Sequence, residues 1–379
     1  MTSSSIGAQQ GAERASELAA LREAVRDLIA GSGGIAAARR QLNQEPGYDE
    51  DAWRLLGTEM GLAGLGLAED LGGAGGGLAE LTVVAEELGR ALLPVPFFSS
   101  TVLAGQILAR CPGTGRDVLA QVAEGGELAA FAGTDLDGCW RPDRLPVQVK
   151  ADGRPASVRL HGQTNFVLDG AAAAHLVVAA RTPAGCDLFL VAGDAEGVQA
   201  KALETLDPTR AQASVTLENT PGTPLTTGGT GAAAVTAGLD VALVVLAAEQ
   251  VGGAAACLDL AVEYAKLRQQ FSRPIGSFQA IKHKLADLLL LVEMGRSAVD
   301  RALAAEHDPA RLAEAAAVAK IWCSDAYTTV ATENVQIHGG IGFTWEHDAH
   351  LYFRRARADE QLLGDATVHR ERLATLLGW

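Results

Sequence analysis

Over residues 128–217 the chain abandons the apolar spacing of three and four that governs the residues on either side. Short β-type runs (Pro146-Val147-Gln148-Val149, Val158-Arg159-Leu160, Leu176-Val177-Val178-Ala179 and Leu188-Phe189-Leu190-Val191) replace it. Turn signals separate them at Asp152-Gly153, Asp169-Gly170 and Ala184-Gly185. Strands do not alternate with helices here, which disfavours a parallel Rossmann sheet and predicts an antiparallel, barrel-like one. Upstream, residues 13–30, 52–60 and 78–93 carry helical periodicity, broken at 31–34, 72–77 and 94–96. A Gly-, Thr- and Pro-rich linker at 221–231 leads to further helical stretches at 232–266, 278–305, 309–333 and 367–377. The expected architecture is α+β and multidomain: a helical N-terminal domain (1–125), a β middle domain (126–222) and a C-terminal four-helix bundle (232–379).

Charge and composition narrow the partners. The 379 residues hold 31 Lys+Arg against 46 Asp+Glu, a formal net charge of −15. That balance argues against a nucleic-acid binder, which needs clustered positive charge. With 48% apolar and 20% charged residues the chain can build a large core. Its most apolar run, 241–248, is closed by Glu249 and Gln250. This falls short of the roughly 20 residues of a membrane span, so no membrane partner is expected. The N-terminus lacks a basic start and apolar core, and the five cysteines are scattered without a C-x-x-C pair. Free thiols in a reducing cytoplasm are expected. His347, Asp348 and His350 mimic metal-ligand spacing, but nothing else converges on them and no metal site is expected.

The glycine cluster at 72–77 lacks the Lys-Ser/Thr of a P-loop and reads as a flexible inter-helix loop. Two C-terminal segments are more informative: Leu267-Arg268-Gln269-Gln270-Phe271-Ser272-Arg273-Pro274-Ile275-Gly276-Ser277-Phe278-Gln279 and Asn334-Val335-Gln336-Ile337-His338-Gly339-Gly340-Ile341-Gly342-Phe343. The first ends a long helix on a guanidinium, turns and starts another helix, which suits phosphate oxygens. In the second, Gly339-Gly340 lets a ligand approach the main chain.

With Trp53-Arg54-Leu55-Leu56-Gly57, Gly64-Leu65-Gly66 and the stretch 160–170, these segments make the chain resemble the acyl-CoA dehydrogenase family over nearly its whole length. The resemblance implies bound FAD, an acyl-CoA substrate, an electron acceptor such as an electron-transfer flavoprotein, and a homotetramer or α2β2 heterotetramer sharing each FAD across subunits. By position, it implies that Arg268, Phe271 and Gln279 contact a neighbouring subunit's FAD, and that Gln336, Gly339 and Gly340 form a second FAD stretch. Phe166 stands where the family has a tryptophan over the flavin ring. Leu168 stands where a threonine usually bonds the flavin, and Ala132-Gly133-Thr134-Asp135 only echoes another family run.

The implied reaction removes an α-proton from the thioester and passes the β-hydrogen as hydride to flavin, which calls for a carboxylate base in a water-poor pocket. The family's usual base position is Leu363 here; its other one is Ala242, beside Leu243. Two carboxylates could substitute. Glu249 lies seven residues after Ala242, and seven steps of ~100° return to within about 20° of the same helix face. Left without a partner in that apolar stretch, it would have a raised pKa. Asp365 lies two residues past Leu363. Glu249 is the first expectation for the base and Asp365 the second, both against the bland readings of an ion pair and a helix cap. The alternatives are a non-catalytic flavin-site subunit of a heterotetramer, and a flavin enzyme of the same fold with different chemistry.

Overall fold

A computed structural model describes residues 3–42, 44–111, 113, 115–151 and 158–379. The predicted turn at Asp152-Gly153 lies outside them. The N-terminal helices are α1 (Ser3–Gly31), α2 (Ile35–Gln41), α3 (Glu50–Trp53), α4 (Leu78–Ala91), α5 (Gly105–Leu108) and α6 (Arg116–Ala123). The helix expected over 52–60 is a single α-turn, N-capped by the Asp49 carboxylate accepting from Ala52 N at 3.0 Å, followed by a wider turn over Arg54–Glu59. The glycine cluster is packed rather than loose. A Cβ on Gly73 would lie 2.1 Å from the Leu67 carbonyl oxygen, and Ala74 and Gly75 each donate at 2.9 Å to carbonyls of 64 and 67.

Among the described residues seven strands follow: β1 (Ala129–Ala132), β2 (Gln148–Ala151), β3 (Val158–Leu168), β4 (His175–Thr182), β5 (Gly185–Ala192), β6 (Val198–Ala202) and β7 (Gln212–Pro224). Their pairings run β2–β3–β7–β5–β4 and back to β2, closing a barrel-like ring, with β6 added to β7. Most are antiparallel. The exceptions are β1 on β4 and the one-residue contact that closes the ring, Gln148 with Arg181, both parallel. Alternation along β4 divides its side chains: Leu176, Val178 and Ala180 fill the barrel, while Val177 and Ala179 join the main core.

The C-terminal part comprises α7 (Gly231–Leu267), a hairpin of β8 (Gln269–Gln270) and β9 (Arg273–Pro274), α8 (Gln279–Leu303), α9 (Pro309–His338), α10 (Ala349–Gln361) and α11 (Ala366–Leu376). Helix α7 does not stop at Glu249. By length and composition it could cross a membrane, yet 72% of its apolar window is buried inside the protein, and it packs against α4, α8, α9 and α10. Its crossing with α4 is a backbone contact. A Cβ on Gly252 would lie 1.9 Å from the Glu86 carbonyl oxygen, and one on Gly89 2.1 Å from that of Glu249.

The loop joining α10 to α11 is held from both ends. The buried Lys320 ammonium, on α9, donates to the last-turn carbonyls of Asp359 (2.6 Å) and Glu360 (3.2 Å) and to Ser324 Oγ (3.0 Å). Burial pulls its pKa down to about 8 against the upward pull of Asp359 and Glu360. Leu363 takes a left-handed conformation, φ 60°, and its carbonyl accepts from His369 Nε2 at 3.2 Å. His369 Nδ1 has no partner among the described residues, so a second ring proton would be stranded. Burial, helped by the charges of Lys320 and Arg372, pushes this imidazole down to about 4. A folded pKa below the unfolded one means stability that is fully present above pH ~6.5 and is lost as pH falls from there towards 4. The expected loss is on the order of 3 kcal/mol. Thermal melts of His369→Gln, whose amide still donates to Leu363, should be flatter across that window than wild type; parallel profiles would refute the assignment.

Candidate active site

Where the barrel meets the C-terminal helices there is a cleft of about 460 Å³. Its barrel wall carries Phe131, Thr134, Phe166 and Leu168, with residues 203–206 from the β6–β7 connection. The opposite wall is Arg357, Ala358 and Gln361 of α10 with Leu362 and Leu363 of the following loop, and Leu103 closes the inner end. Phe166 sits at a break in the β3–β7 register between Thr164 and Val167, with φ 59°. That conformation leaves a large ring 42% exposed in the cleft, resting against Gly138. Leu168 and Leu363 are buried beside it, at 4% and 6% exposure. The structure therefore assembles in one cleft positions singled out from two distant parts of the sequence, Phe166 and Leu168 on β3 and Leu363 after α10. The charged residues of the lining, Asp137, Glu204 and Arg357, are exposed to solvent at the mouth.

A second group of predicted residues gathers elsewhere. Arg268 caps α7, exposed and without an ion pair among the described residues. Phe271 and Ser272 form the tip of the β8–β9 hairpin, both left-handed (φ 53° and 63°), and Phe271 is 87% exposed. A non-glycine residue held this way costs of order 1–3 kcal/mol, and here it projects an apolar ring into solvent. Gln279 opens α8. At the end of α9, Gln336 is exposed and Gly339 adopts φ 63°, ψ −140°, a conformation for glycine. A Cβ on Gly339 or Gly340 would meet nothing within 4 Å, so the space above them is open. The Tyr264 and His338 rings, 4.3 Å apart, pin the end of α9 to the end of α7 and unite these segments in one corner. None of the six lines the cleft.

The two proposed bases are both engaged. The sequence expectation for Glu249 was a carboxylate without a partner; the structure corrects it. Glu249 Oε1 accepts from Arg210 Nη2 and from Arg355 Nη1, the latter at 2.6 Å. The same guanidiniums reach Asp359 Oδ1 (Arg210 Nη1, 3.0 Å), Asp207 Oδ2 (Arg355 Nε) and Thr209 Oγ1 (Arg355 Nη2, 2.6 Å). Burial opposes the charge on Arg355, yet Asp207, Glu249 and Asp359 together hold its pKa above the usual range. Glu249 lines a separate, nearly filled interior pocket with Asp169, Ser99 and Tyr48. Asp169, whose neighbour Leu168 faces the cleft, is pushed up to about 6 by burial, against the Ser99 hydroxyl that donates to it. Asp365 N-caps α11, accepting from Val368 N at 3.0 Å. Neither carboxylate lines the cleft.

The three arginines of α10 also divide. Arg357 is exposed and Arg354 half-buried, donating to the Leu206 carbonyl, whereas Arg355 is buried. Its partners Asp207 and Thr209, together with Arg210, Asp359 and Lys320, are residues that sequence reasoning missed. The only local signal was the Asp207-Pro208-Thr209-Arg210 turn, where the Asp207 carboxylate accepts from Thr209 N at 2.9 Å. Of the metal-like triplet, His347 accepts from Ala349 N at 3.1 Å, Asp348 pairs with Arg39 and His350 stacks edge-on against Trp345.

Comparison with known proteins converges on one family. Residues 15–114 match the model of the acyl-CoA dehydrogenase N-terminal domain, and residues 229–377 that of the C-terminal domain. Acyl-CoA dehydrogenase IpdE2 of Mycobacterium tuberculosis is 39% identical over 90% of this chain and 92% of its own length. Among solved structures, a variant of the Tcur3481-Tcur3483 steroid ACAD superposes with a TM-score of 0.85 at 33% identity, covering 96% of this chain and 98% of that one. The ChsE4-ChsE5 complex of Mycobacterium tuberculosis gives 0.84 at 29%, covering 95% and 97%. The chain belongs to the acyl-CoA dehydrogenase family of FAD-dependent oxidoreductases.

Proposed function

We propose that the protein takes part in the α,β-dehydrogenation of an acyl-CoA thioester, with the isoalloxazine ring in the cleft beside Phe166. When bound, FAD supplies the hydride acceptor. The residues present fit it: Phe166 offers a ring for stacking, and Leu168, Leu362 and Leu363 keep water from the reacting carbons. The corner around Arg268, Phe271, Gln336 and Gly340 offers a guanidinium, a projecting ring and open main chain, and none of these serves its own cleft. This separation supports sharing of each FAD between subunits, and the exposed Leu267, Phe271 and Phe343 support an assembly that covers them. The apolar cleft, and the likeness to a protein named a steroid ACAD, support a bulky apolar acyl group.

One observation favours a narrower role. Leu363 occupies the base position inside the cleft, and the carboxylates of the lining stand at its mouth. This supports a flavin-site subunit of a heterotetramer whose partner chain removes the α-proton. The likeness to a protein solved as a two-component complex agrees with it.

Two experiments test these readings. A Cβ at Gly340 meets nothing within 4 Å, and Phe271→Asn gives up only an edge contact with the Phe278 ring, while asparagine tolerates the left-handed tip better than phenylalanine. Each should lower FAD retention about tenfold, ~1.4 kcal/mol, without lowering the melting temperature of the cofactor-free chain. Unchanged retention in both would remove this corner from the FAD site. Leu363→Glu places a carboxylate in the cleft on a backbone that is already left-handed. Anaerobic flavin bleaching by an acyl-CoA panel, with this chain purified alone, should be slow in wild type and at least ~100-fold faster in the variant. Rapid bleaching of the wild-type chain alone would rule out the narrower role.

A further inference from the structure

The two walls of the cleft come from different domains, and behind the cleft they are tied by charge. Residues 203–206 of the β6–β7 connection line one wall, and three residues further on in the same connection (Asp207, Thr209 and Arg210) turn inward. Arg357, Ala358 and Gln361 of α10 line the other wall, and Arg355 and Asp359 of that helix turn inward to meet them. Arg210 bonds Asp359, and Arg355 bonds Asp207 and Thr209, so the connection and the helix grip each other in both directions. A single atom, Oε1 of Glu249 on α7, accepts from both guanidiniums. At 8% side-chain exposure, with its arginines at 10% and 4%, it is shielded from the water that would weaken such bonds.

We propose that Glu249 is a positioning residue of the flavin cleft: by bridging Arg210 and Arg355 it sets the spacing between the barrel wall and the α10 wall. The inference rests on the assignment of that cleft to the isoalloxazine ring. Removing the carboxylate leaves two buried guanidiniums facing each other without their shared acceptor, and the cheapest relief is for the β6–β7 connection, which carries Arg210, to draw away from α10. The cleft then widens and its contact with a planar ring loosens. A general base in the same place would behave otherwise, because its loss would spare the ring's environment and abolish proton removal.

The test uses the FAD-loaded protein in its native oligomer, comparing wild type, Glu249→Gln and Glu249→Asp. Expected for Glu249→Gln are a dissociation constant for FAD at least tenfold higher, a shifted and less structured visible flavin band, and bleaching of the flavin that stays bound that is slowed but not abolished. Glu249→Asp, which keeps the charge, should recover most of the affinity and the band shape. If Glu249→Gln does not fold, Thr209→Val serves instead: it removes a hydroxyl bonded to Arg355 and Asp207, keeps every charge, and should weaken FAD binding about threefold. Wild-type affinity and spectrum in Glu249→Gln, or in Thr209→Val where it stands in, would overturn the inference; with bleaching also lost in Glu249→Gln, Glu249 would be the base. A wild-type protein that never binds FAD would instead overturn the assignment of the cleft.

Discussion

Arg355 donates to Asp207, Thr209 and Glu249 from a position almost closed to water, and the arrangement of the cleft depends on that one guanidinium keeping its partners. Burying charge is expensive, and removing one member of a buried pair costs more than the pair was worth. Such a cluster therefore adds little net stability, but it narrows the ways its parts can sit together. Hydrophobic contact alone would let a barrel slide on a helix surface. Directional bonds from Arg210 and Arg355 to three carboxylates do not.

Lys320 extends the same logic to the loop that carries Leu363. A buried ammonium on the last carbonyls of α10 replaces the water that would otherwise satisfy them, and the chain leaves the helix there in a fixed direction. Asp365 then starts the next helix, while His369 holds the carbonyl of the left-handed residue between them. The loop conformation is set by polar groups that never face the cleft, so the side chain at 363 can differ from the usual acid without loss of the local backbone.

Much of this was legible in the sequence because it is periodic. The change of spacing at residues 128–217 marks the barrel, and the apolar rhythm on either side marks the long helices, because burial of one face imposes the period. The corner around Arg268 and Gly340 was legible in another way: a helix-ending arginine or a glycine pair alone reads as a helix cap, and only the two segments together carried the family resemblance. The pairing of Glu249 was not. Its helical face could be read from its distance to Ala242, but its partners lie 39 and 106 residues away, and periodicity carries no information about which loop a buried acid will meet. For the same reason helix α10 hides its function. Arg354, Arg355 and Arg357 look alike in sequence, and only the fold sends one of them inside.

The contact between α4 and α7 has a mechanical corollary. Where Gly89 and Gly252 bring main chain against main chain, there is no layer of side chains to shear, so the N-terminal helices and the long apolar helix behave as one rigid chassis. Any widening of the cleft for a large ligand would then fall to its barrel wall, within the limits that the salt links set. Gain or loss of a ligand would be felt first as a change in how that barrel is tethered, while the helical chassis stays as it is.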